Sequence, residues 1–225
     1  MKSRFLVLFP FIILALMLNS GCRSSKQAYQ QGDYYDACTI AIKDLRSNPK
    51  NKKAAETLTL AYPLLLKTTQ LNIDNILSLN SIAKYRTVYN EYVKLNNIYQ
   101  SILTCPEALR IIPAPQSFIK QQNEVQKLAF NEIMTEADGK LSEGTRMSAR
   151  NAYYLYTDAL RFDPASDLAK SKQMEALDKA IVKVVLEQIP VVKAYDFSCS
   201  FFYDQVFTSL NNDRRNLFLQ FYRPE

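Results

Sequence analysis

The chain opens on an uncharged, almost wholly apolar run, residues 5–18, set behind Lys2 and Arg4. The run falls short of the roughly 20 apolar residues that a membrane-spanning helix needs. A short positive segment, an apolar stretch and then small residues form the layout of a secretory signal. Residues 23–27 are polar and read as a tether, and a first folded segment starts near Ala28. Further on, Ile82, Tyr85, Val88, Tyr89, Tyr92, Leu95, Tyr99, Ile102 and Leu103 keep helical spacing. This predicts one long amphipathic helix over residues 71–103, broken once near 72–75. Cys105-Pro106 and residues 111–115 read as a loop, because Pro113 and Pro115 favour extended backbone. After Ala180 the texture changes. Residues 181–190 are rich in β-branched side chains and read as a strand ended by Pro190; 197–210 read as a helix, and 217–222 as a second strand. Two isolated strands make a poor sheet, so either they pair with each other across the helix or they belong to something longer. The ending Arg223-Pro224-Glu225 suggests a chain that continues.

Two segments carry a resemblance. Gly32-Asp33-Tyr34-x-x-Ala37, then Ala41, Leu45 and Asn48-Pro49-x-Asn51, resemble the second helix of a tetratricopeptide repeat. Ala54, Ala55, Leu58, Ala61 and Tyr62 resemble the first helix of the repeat that follows. Gly32 suits a tight helix-to-helix turn, Ala37 and Ala41 are small where helices approach, and Pro49 ends a helix. Asp44 stands where the family usually has alanine, so that contact is expected to be loose or solvated. The pattern returns in Ala152, Tyr156, Ala159, Leu160, Phe162, Asp163 and Pro164. Its preceding helix is expected over 124–141, joined through Gly144 by a turn with extra residues 145–149. The next helix is expected over 165–177. The resemblance implies a mainly α fold, a short tetratricopeptide-like solenoid of helical hairpins with a small α/β C-terminal tail.

The segment Leu18-Asn19-Ser20-Gly21-Cys22 resembles the end of a bacterial lipoprotein signal, with Asn19 where that family usually has leucine. The resemblance implies that Cys22 is lipidated and becomes the first residue of the mature protein. A plain signal peptide cut near Gly21, or an uncleaved anchor, are the alternatives. The whole is similar to repeat lipoproteins of Bacteroides- and Flavobacterium-type bacteria. The expected organisation is a signal over 1–21, a lipidated cysteine and tether over 22–27, a helical repeat domain over 28–180, and a small α/β segment over 181–225.

Composition removes many chemistries. The chain has no histidine, which takes away the usual general base and the commonest metal ligand. Of four cysteines, Cys38, Cys105 and Cys199 remain beside Cys22, and none stands in a CxxC pair. They read as small buried hydrophobes, with a single disulfide as the alternative. The net charge of +6 is spread along the chain without a basic stripe, so no nucleic-acid partner is expected. Only four glycines occur, and Gly32, Gly139 and Gly144 are expected at turns between helices. No GxGxxG, GxxxxGK or GxSxG motif is present. No metal and no cofactor are expected.

The candidate partner-binding residues are Tyr85, Tyr92 and Tyr99, which lie seven apart along one helical stripe. Such rings grip an extended peptide or a sugar by stacking and hydroxyl hydrogen bonds, or pack between helices as core. Glu132, Glu136 and Asp138 are close enough on one helix to suggest paired carboxylates, but they read as a solvated face. Ser198-Cys199-Ser200 lacks a histidine to activate a nucleophile. Arg46, Lys50, Lys52 and Lys53 form a basic cluster after a helix end, a place favoured by the helix dipole and able to meet anionic headgroups.

The sequence therefore points to a membrane-anchored protein-interaction scaffold, lipid-bound to the bacterial outer membrane, more readily on its periplasmic side. Its expected partner is an envelope protein complex or a peptide. A surface-exposed binder of glycan or peptide is the second expectation. An enzyme is disfavoured.

Overall fold

The computed structural model describes residues 23–79, 81–188, 190, 192–193, 196–212 and 217–224. The expected lipid acceptor Cys22 lies outside the described residues. Among them the chain is mainly helical, with nine helices and a small two-stranded sheet near the C-terminus. No helix among them is long and apolar enough to cross a membrane. They form two compact units: residues 23–79 with Thr87–Gln122, and residues 81–86 with 123–224. Where the sequence suggests one repeat domain over 28–180, the chain divides within that span.

In the first unit, the residues expected as a tether are folded: Ser24 caps α1 (Ser25–Gln30), and the Gln27 side chain closes the capping box. Gly32 sits at φ +78°. Its N–H donates to Tyr29 O and the Asp33 N–H to Ala28 O, both at 3.0 Å. This closure needs a left-handed residue, which glycine supplies without strain. Asp33 caps α2 (Tyr34–Ser47) through the Asp36 N–H. The Arg23 guanidinium pairs with Asp33 at 2.9 Å and Asp36 at 3.0 Å. Its hydrogen bond holds the Asp33 carboxyl below the usual carboxylate range. Helix α2 buries Ala37, Cys38, Ala41, Ile42 and Leu45 on one stripe and packs against α3 (Lys52–Ser78). The turn between them carries Pro49, and Asn51 caps α3 through the Ala54 N–H.

Helix α3 departs from expectation. It runs unbroken through 72–75, and the break falls after Ser78. Thr69 and Ile73 are buried on the stripe that begins at Ala54, so the apolar face continues, while Asn72 and Asn75 point to solvent. Pro63 sits inside the helix on its exposed side, where the Thr59 carbonyl it leaves unbonded can turn to water. Helix α4 (Lys84–Leu103) follows, its first three residues counted with the second unit. Of the loop expected at Cys105-Pro106 and 111–115, the residues up to 111 instead form a short helix, α5 (Pro106–Ile111), packed on α2 and α3. Proline is well suited to that first position, where no N–H is needed. Residues 112–118 are irregular and pinned. Tyr62 Oη accepts the Gln116 N–H at 2.7 Å, and Asn96 Oδ1 accepts the Phe118 N–H at 2.9 Å. The buried Asn96 amide also donates to Gln122 at 2.6 Å, so its polar group is satisfied.

Helix α6 (Ile119–Ser142), its first four residues counted with the first unit, is longer at its start than the expected 124–141, and Gly139 lies inside it and not at a turn. Gly144, at φ +72°, does make the turn. The extra turn residues expected at 145–149 are absent as such. Thr145 and Ser148 form a capping box that starts α7 (Arg146–Phe162) at once. Ser166 caps α8 (Asp167–Ala180). The core is rich in small residues: Ala137, Ala149, Ala152, Ala159, Ala169, Ala176 and Ala180 are buried around Ile133, Leu141 and Tyr156. The small side chains bring α7 and α8 into close packing. Strand β1 (Val182–Val185) and strand β2 (Leu219–Tyr222) pair in parallel, from Val182 opposite Leu219 to Val185 opposite Tyr222. Helix α9 (Asp196–Asn212) connects them, so the two strands do pair with each other across a helix.

Candidate interaction surface

The α6 carboxylates expected on a solvated face are built into the second unit. Glu132 accepts the N–H groups of Tyr85 and Arg86, each at 3.3 Å, in the first turn of α4. A carboxylate there satisfies two of the donors that a helix start leaves open, and it meets the positive end of the helix dipole. Arg86 Nε lies 3.5 Å from Glu132, and its Nη2 donates to Glu136 at 2.6 Å. Only 11% of the Glu132 side chain is exposed. Asp138 accepts the Tyr156 hydroxyl at 2.6 Å, with the Lys172 ammonium 4.0 Å away. Burial, then the Asp138 carboxylate, pushes the Tyr156 phenol far above its ordinary value. These groups brace helices. Sequence reading missed this because the partners of Glu132 lie nearly 50 residues away in the chain.

An open cleft of about 710 Å³ runs along α6 to the end of α7, within the second unit. Asn123, Gln126, Lys127, Phe130 and Asn131 line it from α6, spaced three and four apart, and Phe162 and Asp163 line it from the end of α7. Gln126 Nε2 donates to the Phe162 carbonyl at 2.5 Å, which ties α6 to the end of α7. Amides that both donate and accept, one cation, one carboxylate and two rings are suited to the backbone and side chains of an extended chain segment. The 3-4 spacing of these polar residues was readable in the sequence, but nothing there separates it from an ordinary wet helix face.

The tyrosine stripe is dispersed. Tyr92 is buried, 8% exposed, with its ring stacked on Phe118 at 6.0 Å in the first unit. Tyr99 is half-buried in the same unit. Tyr85 belongs to the second unit, is half-buried, and has the Lys84 ammonium 5.1 Å from its ring centre.

The other candidates are placed as follows. Cys38 and Cys105 are free and buried; burial raises the Cys38 thiol to about 12, leaving it unreactive near neutral pH. Cys199 is free and half-buried, and Ser200 Oγ accepts the Gln188 amide at 3.1 Å. Arg46 donates to Thr104 at 3.2 Å, while Lys50, Lys52 and Lys53 are exposed. Among the described residues no cluster of three or more histidine, cysteine or acidic side chains could hold a metal ion.

One residue not singled out in the sequence anchors the α/β tail. Phe218, just before β2, is 6% exposed. Tyr153 and Tyr154 meet its ring edge-on at 5.6 and 5.7 Å, and the Arg150 guanidinium lies 5.1 Å from its centre. Its carbonyl accepts the Val182 N–H at 2.8 Å, so the same residue ties the sheet to α7.

Comparison with known proteins finds no matching family model, no matching curated protein and no matching solved structure.

Proposed function

We propose that this chain is a lipid-anchored, tetratricopeptide-like interaction module of a bacterial cell envelope. It holds an extended segment of a protein partner in the cleft along α6. The observation that carries the reading is the cleft itself, with Asn123, Gln126, Lys127, Phe130 and Asn131 on one helical stripe. An extended segment presents backbone donors and acceptors along its length, and side-chain amides match both. Lys127 offers a partner for an acidic side chain and Asp163 for a basic one, and Phe130 with Phe162 supplies apolar area for an anchor residue. The helical hairpins closed at Gly32 and Gly144 support the repeat-like reading. The signal ending at Cys22 supports a lipid anchor, with the outer membrane, on its periplasmic side, as the location. The cleft takes the place of the Tyr85, Tyr92 and Tyr99 stripe as the binding surface, since Tyr92 is occupied by Phe118.

Affinity purification of the full chain from detergent-solubilised membranes tests this. It is expected to return one protein in stoichiometric amount, lost on Lys127→Glu and on Asn131→Ala with the helical circular-dichroism signal unchanged. Return of no stoichiometric protein, or its retention by both variants, contradicts the reading.

A further inference from the structure

The two edges of the β1–β2 sheet are not equivalent. On the outer edge of β2, Asn211 from α9 accepts the Phe221 N–H and donates to the Phe221 carbonyl, both at 3.2 Å. One side-chain amide thus occupies the groups through which a further strand would pair. Among the described residues the outer edge of β1 pairs with no strand, since β1 pairs with β2 alone. Val182 and Leu186 donate their N–H groups to Phe218 and Tyr222 of the β2 side, at 2.8 and 2.9 Å. By alternation, Lys183, Val185 and Glu187 turn their backbone groups outward. Their side chains share one face and are exposed, whereas Val182, Val184 and Leu186 are half-buried. The extended alternation therefore carries on two residues past β1, to Glu187.

The outward edge reads Lys183-Val184-Val185-Leu186-Glu187. Turned antiparallel on itself about Val185, it is self-complementary. Lys183 stands opposite Glu187 of the other copy, Val185 opposite Val185, and Glu187 opposite Lys183. All three positions are those whose N–H and C=O point outward, so every pair in this register is hydrogen-bonded. A lone lysine on an edge strand discourages pairing, but a glutamate four residues on turns the same lysine into half of a cross-strand ion pair. The Lys183 ammonium rests 5.7 Å from the Tyr222 ring centre on that face, close to where the pairing would form. Two four-residue parallel strands are also below what makes a sheet stable by itself, and a two-fold pairing doubles it to four strands.

We propose that the free edge of β1 pairs with β1 of a second copy of this chain, antiparallel and centred on Val185, making a dimer through a four-stranded sheet. The occupant is a second copy because the charge pattern of the edge complements itself. The two-fold operator gives the same contact twice, as a closed dimer requires. This contact is independent of the α6 cleft.

Sedimentation equilibrium of the full chain, in an excess of neutrally buoyant detergent micelles, tests it. The unaltered chain is expected to be a dimer. Lys183→Glu and Glu187→Lys each place like charges opposite one another twice, and each is expected to raise the dimer dissociation constant roughly tenfold or more. The double variant K183E/E187K restores opposite charges and is expected to recover the dimer. Val185→Pro removes an N–H that β2 does not use, so it is expected to give a monomer with unchanged helical signal. A monomeric unaltered chain overturns the proposal. So does a dimer that survives Val185→Pro, or a double variant that dimerises no better than the single ones.

Discussion

Tyr156 is fully buried and donates its hydroxyl to Asp138 at 2.6 Å, joining α7 to α6 through one charge-assisted hydrogen bond. The neutral phenol is the form the fold wants, so the folded value is raised above the ordinary 10.0. The sign follows: this contribution is fully present below pH 10 and is lost as pH rises toward the folded value. Tyr156→Phe is expected to lower stability by about 1–3 kcal/mol at pH 8, since it removes a hydrogen bond to a charged group. Urea midpoints between pH 8 and 11 should fall for the unaltered chain, and fall less steeply for the variant. Parallel curves for the two would contradict this role.

Glu132 caps α4 from a position 46 residues beyond Arg86, and it shares Arg86 with Glu136. Glu132→Ala leaves two backbone donors without their acceptor and the mostly buried Arg86 guanidinium with Glu136 alone. The expected cost is on the order of 2–4 kcal/mol. Glu132→Gln keeps one acceptor oxygen and is expected to lose less. Thermal unfolding of both variants checks the order, and equal melting temperatures would contradict it.

Ala37 and Ala152 are both fully buried in helix–helix packing. Ala37→Leu and Ala152→Phe insert volume where there is none, with an expected cost of about 1–3 kcal/mol each. Each is expected to lower the melting temperature by several degrees. No change in either would mean that these sites do not bring helices close.

The signal layout leads to an expected acyl group on Cys22 and loss of residues 1–21. Mass spectrometry of the native protein reads both directly. Cys22→Ala is expected to leave an uncleaved precursor or to move the protein to the soluble fraction. An unmodified N-terminus elsewhere would end this part of the account.

What the sequence made legible was local. Gly32, Gly144 and Pro49 act within a turn, and the buried alanines of α2 and α7 follow from spacing within one helix. The course of α3 past Asn72 and Asn75 was hidden because asparagine reads as a helix breaker by itself. Burial of Thr69 and Ile73 overrides that preference. Pro106 looked like a loop residue, yet it starts a helix that rests on α2 and α3. The bracing role of Glu132 depends on residues 85 and 86, which no window on α6 contains. The cleft was equally hidden, because a polar stripe becomes a wall only once the end of α7 joins it.

The central claim is that the α6 cleft receives a protein segment. A photo-crosslinking amino acid placed at Asn131, on the rim of that cleft, tests it most directly in intact membranes. The account predicts one discrete crosslinked protein from Asn131, lost when Lys127→Glu is added, and none from a control at the exposed Lys53 on α3. Crosslinking from Lys53 equal to that from Asn131, or no protein adduct at Asn131 at all, would contradict it.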